Sequence, residues 1–235
     1  MFDSDYLARK RGRFSGTDVS NGLPGLGVTG RNKDKELWYD NGTVILVAQG
    51  LEFRVYKGLL TDHSPIFKSM FSAPPSPDMM ESDCPVSHLT DSSEDLRHIL
   101  RVCVRDAHTS PYVHDHPSFD AISATIRLGQ KYQMSQYVEY TLGYLKEHYT
   151  DDFDEWEDTN CSPPSFSPEH AIGVVNLARL IGADSLLPTA LLVCCGLGKS
   201  LVNGFQRADG SREHLTLDDI GLFRGAQHDH PCGGL

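Results

Sequence analysis

The spacing of apolar residues changes within residues 38–71 from the pattern of strands to that of helices. β-Branched and other apolar residues dominate residues 43–48 and 51–56, with the pair Gln49-Gly50 between them. Such runs favour strands, and a glycine-containing pair between two of them favours a tight hairpin. Apolar residues at helical spacing follow, and the pair Ser64-Pro65 suits a helix N-terminus. The segment predicts a hairpin and two helices, and it places no residue for catalysis.

Periodic segments continue along most of the chain. A short alternating strand is predicted at residues 85–90, and Ser92 with Asp95 resembles a capping box at the start of the next helix. Helical apolar stripes are predicted within residues 92–103, 119–126, 138–149, 168–181 and 187–195. A weaker helix is predicted at residues 217–226, where Thr216 and Asp219 suit its cap.

Two phrases in the first half of the chain resemble the BTB/POZ family. Ser64, Phe67, Met70 and Phe71 match the S-x-x-F-x-x-M-F phrase that ends the opening strand–strand–helix–helix unit of that family. The phrase PVSHLTDSSEDLRHILR, at residues 85–101, resembles the strand-then-helix segment of fungal, basidiomycete-type BTB proteins.

A third phrase extends the resemblance to about residue 150. Residues 128–134, LGQKYQM, are similar to the L-x-x-K-Y phrase that joins the last helices of the BTB core. The resemblance implies an α+β BTB/POZ fold, with a small three-stranded sheet flanked by a helical cluster and further appended helices.

The domain organisation expected from these patterns has four parts. They are a flexible N-terminal tail (1–35), a BTB/POZ domain (36–150), a linker with a helical extension (151–204), and a partly disordered C-terminal segment (205–235).

One position departs from the family pattern. The family usually has a histidine where this chain has Tyr56, and an aspartate leading the first strand where the nearest candidates are Asp40 and Asn41. We therefore expect the polar pairing between these two elements to be absent or altered.

Composition and charge narrow the classes of partner. The 235 residues carry a net charge of −11, which argues against direct binding to nucleic acid or to an anionic membrane. The longest apolar run, at residues 186–197, is too short and interrupted to span a membrane. No apolar region follows the first Met, so we expect no secretory signal. The six cysteines show no disulfide framework. We expect a cytoplasmic or nuclear protein, and residues 9–13, RKRGR, are a candidate nuclear-import signal.

Three candidate chemical sites do not fit their motifs. Gly198-Lys199-Ser200 has the ending of a phosphate-binding loop, but Val193 stands where the motif needs a glycine, and the preceding segment is helical. Two His-containing clusters lack the ligand spacing of a zinc site; they are His108, His114, Asp115 and His116 in a loop, and His228, His230 and Cys232 in the tail. No G-x-S-x-G context for a nucleophile exists either. We expect no enzyme activity, no cofactor and no metal.

The acidic run around Trp156 remains open to two interpretations. Asp151-Asp152 and Asp154-Glu155 are a solvated face or a patch for a basic partner.

The resemblance implies a protein-interaction module. BTB domains commonly self-associate through the first strand and first helices, which by position gives Leu59, Leu60, Ile66 and Met70 as the interface candidates. The expected partner is a second copy (a homodimer) or another BTB protein.

Two alternatives stay open. A substrate adaptor of a cullin-type ubiquitin ligase would contact the cullin scaffold near residues 103–119 and 129–136, but no kelch-type repeats are present. A transcription-associated regulator would lack its own DNA-binding domain, because no finger spacing or basic helix occurs.

Overall fold

The computed structural model describes residues 32–74, 80–81, 84–105, 116–158 and 162–226, which are strands and helices joined by short turns. The strands are β1 (Asn32–Trp38), β2 (Val44–Ala48), β3 (Leu51–Val55), β4 (Met80–Glu81), β5 (Cys84–Leu89), β6 (Phe205–Gln206) and β7 (Arg212–Glu213). The helices of the first half are α1 (Lys57–Thr61), α2 (Pro65–Met70), α3 (Ser93–Arg105), α4 (Phe119–Lys131) and α5 (Ser135–Lys146). Those that follow are α6 (Phe153–Asp158), α7 (His170–Ile181), α8 (Leu187–Cys195), α9 (Ser200–Asn203) and α10 (Leu217–Ala226).

The main sheet has five strands in the order β1-β3-β2-β5-β4. Strands β2 and β3 form the predicted antiparallel hairpin, with Ala48 opposite Leu51 and Gln49 and Gly50 both at positive φ in the turn. Strand β5 pairs parallel to β2, and β1 pairs parallel to β3. The predicted α+β class is confirmed.

The expected number of three strands is wrong, because β1 and β4 extend the sheet on both sides. In β1 the buried residues are Asp34 and Leu37, three positions apart, so the strand lacks an apolar alternation. It also begins at Asn32, four residues before the predicted domain boundary and inside the predicted flexible tail. Strand β4 has only two residues, too few to show a period. The other residues of the predicted tail lie outside the described part of the chain.

Two apolar clusters share helix α4. The cluster beside the sheet includes Phe53, Phe67 and Leu100 and takes Leu128 from the C-terminal half of α4. The second cluster takes Phe119, Ile122 and Ile126 from α4, together with residues of α7 and α8. Each large apolar side chain buried in this way contributes about 1.5–3 kcal/mol to folding. Helix α4 therefore lies between the sheet-side core and the appended helices and packs against both.

The caps of α3 and α10 differ in how far they match the sequence patterns. Thr216 Oγ1 accepts a hydrogen bond from the Asp219 amide and donates one to the Asp219 carboxylate, as the pattern at α10 predicts. At α3, Ser92 Oγ accepts from the Asp95 amide at 3.3 Å. The Asp95 carboxylate accepts from Arg207 instead of completing the capping box, so that prediction is half right.

Close approach of α7 to α4 gives a first prediction. A Cβ atom on Gly173 would lie 2.1 Å from Phe119 Cζ, and Phe119 is buried. We expect Gly173→Ala to destabilise the fold by about 1–3 kcal/mol through overpacking, despite the better helix propensity of alanine. Urea unfolding followed by circular dichroism measures this change.

The control is Gly143→Ala in α5, because a Cβ atom there meets open space. It should stabilise the fold by up to about 1 kcal/mol. Equal effects of the two substitutions would contradict the close approach of α7 to α4.

Candidate protein interface

Ser64, the N-cap residue of α2, makes hydrogen bonds to both α2 and the end of α4. Ser64 Oγ accepts a hydrogen bond from the Phe67 amide at 3.0 Å and donates one to the Tyr132 carbonyl oxygen at 2.6 Å. The Phe67 ring stacks on the Tyr132 ring, with centroids 4.3 Å apart. The S-x-x-F part of the phrase thus fixes α2 against the end of α4.

The two remaining residues of the phrase, Met70 and Phe71, differ in exposure. Met70 is 40% exposed, whereas Phe71 is partly buried against the sheet-side core. Lys57 Nζ donates to the Phe71 carbonyl oxygen at 2.6 Å and lies over the Phe71 ring, which ties the end of α2 to the start of α1. The exposed methionine therefore sits on a helix pair whose backbone is held in place.

The four predicted interface residues differ in exposure. Leu60 is 1% exposed and belongs to the sheet-side core. Leu59 and Ile66 are partly exposed, and Ile66 packs against the same core. Ile66 and Met70 are four residues apart on α2 and therefore share a face. Leu60 supports this face from inside, and Met70 is its most exposed apolar side chain.

The departure at Tyr56 alters the polar pairing instead of removing it. Tyr56 Oη donates a hydrogen bond to Asn41 Oδ1 at 2.5 Å, and the Tyr56 ring lies 5.4 Å from the Tyr39 ring. A tyrosine and an asparagine thus join the loop before β2 to the end of β3, the two elements that the family pattern joins with a histidine and an aspartate.

Strand β1 is held on α3 by two ion pairs that the sequence analysis missed. Arg97 Nε lies 2.8 Å from Asp34 Oδ2, and Arg101 makes hydrogen bonds to both carboxylate oxygens of Glu36. The available signal was charge, because Asp34 and Glu36 alternate on the strand while Arg97 and Arg101 are four apart on the helix. A strand and a helix with these spacings each present one charged face.

The exposed side of β1 makes a poor edge for strand addition. Lys33 and Lys35 are exposed there, and Lys33 Nζ lies 4.2 Å from the centre of the Trp38 ring. Lysines on an edge strand hinder pairing with another chain. The surface that carries Leu59, Ile66 and Met70, called the α1–α2 face, is the better candidate for an interface.

The other sequence candidates are only partly within the described residues. His108, His114, Asp115, His228, His230 and Cys232 lie outside them. In the part that is described, no group of three His, Cys, Asp or Glu side chains could hold a metal ion. Gly198 follows α8 through a turn, so the described chain has helix where a phosphate-binding loop needs a strand. Among the described helices, none has the length and apolar character to cross a membrane.

Comparison with known families identifies the class of the first half. The small sheet with its helical cluster is an α+β fold, and the family model for the BTB/POZ domain matches residues 35–149. This part of the chain is therefore a BTB/POZ domain, a protein–protein interaction module. The search of curated proteins found no match.

The Asp34–Arg97 pair gives a prediction for acid stability. Burial acts to raise the pKa of Asp34, but hydrogen bonds from the Leu37 amide, Arg97 and the Glu36 amide outweigh it and hold the pKa below its ordinary value of 3.8. The stabilisation of the fold by the ionised Asp34 carboxylate is thus fully present above about pH 4. It is lost as the pH falls through the pKa that Asp34 has in the folded state, which lies below the ordinary value.

We expect Asp34→Asn to cost about 1–3 kcal/mol at pH 7 and to weaken the loss of stability in acid. Urea midpoints between about pH 2 and 7 measure both effects. Asp40→Asn, at an exposed position after β1, is the matched control. If the urea midpoint of Asp34→Asn fell in acid as steeply as that of the wild-type chain, the role of this pair would be contradicted.

Proposed function

We propose that the chain is a non-enzymatic module that associates through its BTB/POZ domain with a second copy of itself or with another BTB protein. The supporting observation is the exposure of Met70 on α2, next to the partly exposed Ile66. A flexible apolar side chain on a fixed helix suits a protein partner, because methionine adapts its shape to the surface that it meets.

The position of the extension supports the choice of this face. The apolar cluster that holds the extension is built on α4, α7 and α8 and takes no described residue from α1 or α2. The extension's apolar packing therefore leaves Met70 to solvent, where a partner can bury it. Burial of Met70 together with parts of Leu59 and Ile66 would form the apolar centre of an interface.

The non-enzymatic role rests on the class of the domain, since BTB domains are generally interaction modules. Likeness to fungal BTB proteins with a helical extension stays a prediction, as does a cytoplasmic or nuclear location. The roles of cullin adaptor and transcription-associated regulator are the alternatives, and no feature of the described residues favours either of them.

The interface is tested by Met70→Glu. A carboxylate at this position would have to be desolvated on association, so we expect the substitution to weaken self-association by about tenfold or more. Sedimentation velocity over a concentration series measures the change, with the wild-type chain expected to reach twice the monomer mass. Circular dichroism checks that the variant is folded.

Leu180→Glu is the matched control, because Leu180 is 45% exposed but lies on α7. It should leave self-association unchanged. A wild-type chain that stays monomeric at every concentration would rule out the homodimer, and equal effects of the two variants would place the interface elsewhere.

A pull-down with wild-type and Met70→Glu chains as bait tests the class of partner. We expect BTB proteins to be recovered by the wild-type chain and lost with the variant. Recovery of a cullin by both baits would favour the adaptor alternative and would show a contact that does not use Met70.

A further inference from the structure

The side chain of Arg207 is buried between the BTB helices and the extension, with 5% of its surface exposed. Four carboxylates surround its guanidinium group. Their distances to it are 2.6 Å for Asp95, 3.3 Å for Asp120, 3.3 Å for Asp209 and 3.7 Å for Glu213. Asp95 belongs to α3 and Asp120 to α4, whereas Asp209 and Glu213 belong to the β6–β7 hairpin. One arginine thus connects the hairpin to two helices of the BTB domain.

The hairpin has little structure of its own to hold it in place. Its ladder consists of two residue pairs, Phe205 with Glu213 and Gln206 with Arg212. An isolated two-stranded hairpin is at best marginally stable in water. Contacts with the neighbouring helices must therefore hold the hairpin in position.

Glu213 provides the second set of such contacts. Its carboxylate accepts a hydrogen bond from Arg127 of α4 at 2.9 Å and one from Asn176 of α7 at 2.8 Å. The hairpin therefore joins α3, α4 and α7 through charged and polar groups. Phe205 adds apolar contact, with its ring 5.3 Å from that of Phe119.

The cluster depends on Arg207 for half of its positive charge. Four carboxylates face two arginines, Arg207 and Arg127. Removal of Arg207 would leave buried carboxylates with too little positive charge, which is strongly unfavourable. In addition, Nε of Arg207 is buried without a hydrogen bond of good geometry, so one donor of this cluster is left unsatisfied.

The boundary between the two apolar clusters is where the extension could separate from the rest of the BTB domain. The extension packs on Phe119, Ile122 and Ile126 of α4, whereas the sheet-side cluster uses Leu128 and Tyr132 beyond them. Separation of α7 and α8 from α4 would disrupt the first cluster and leave the second in place.

We propose that the β6–β7 hairpin is a latch, fastened by Arg207, that holds the extension over α4 and opens without unfolding of the sheet-side BTB core. Opening exposes the α4 face that the extension covers in the closed state. This α4 face is separate from the α1–α2 face, so the latch does not depend on self-association.

Hydrogen exchange of the full chain tests the latch. Arg207→Met keeps an unbranched apolar stem and removes the guanidinium group with its charge. We expect amides of α7 and α8 to exchange about a hundredfold faster in this variant, whereas amides of β2 and β3 change much less. Arg212→Met is the matched control, because exposed Arg212 lies in the same hairpin and donates to the Asn203 carbonyl oxygen.

Two results would overturn the proposal. Equal acceleration of α7, α8, β2 and β3 would show that extension and core open together, and equal behaviour of the two variants would remove Arg207 from the role. If Arg207→Met fails to fold, the proposal can be tested by the urea dependence of amide hydrogen exchange in the wild-type chain. Amides of α7 and α8 must then show a smaller urea dependence than those of β2 and β3, and equal dependences would refute the latch.

Discussion

Burial of two faces of one helix organises this protein. Helix α4 gives Leu128 to the core beside the sheet and gives Phe119, Ile122 and Ile126 to the core of the extension. Because apolar burial is the dominant favourable term in folding, the extension is part of the folded unit and not a loose appendage. The same arrangement directs the extension to the α4 face and leaves Met70 exposed on α2.

Apolar burial supplies most of the favourable free energy of folding, whereas charged groups determine where particular elements lie. Asp34 and Glu36 place β1 on α3 through Arg97 and Arg101, and Arg207 places the β6–β7 hairpin against α3 and α4. Apolar contact alone is non-directional, whereas an arginine with several carboxylates has a defined geometry. Strand β1 and the β6–β7 hairpin are thus both fixed on α3 by ion pairs.

The elements that the sequence predicted correctly are those with a strong local signal. The β2–β3 hairpin has apolar runs around Gln49-Gly50, and α2 and α10 have a serine or threonine cap. In contrast, β1 and the β6–β7 hairpin depend on ion pairs between residues more than sixty positions apart, as in Asp34 with Arg97 and Asp95 with Arg207. Apolar periodicity carries no information on such pairs. For the interface, position in the family gave four candidates, but only the structure separates buried Leu60 from exposed Met70.

Cross-linking through position 70 tests the central claim, that the α1–α2 face joins two chains. Met70→Cys and Leu180→Cys can be compared in a background in which the native cysteines are replaced by serine. A short bismaleimide should join two chains through Cys at position 70 and leave the position-180 variant monomeric. Efficient cross-linking at position 180 with none at position 70 would contradict this account and place the interface on the extension.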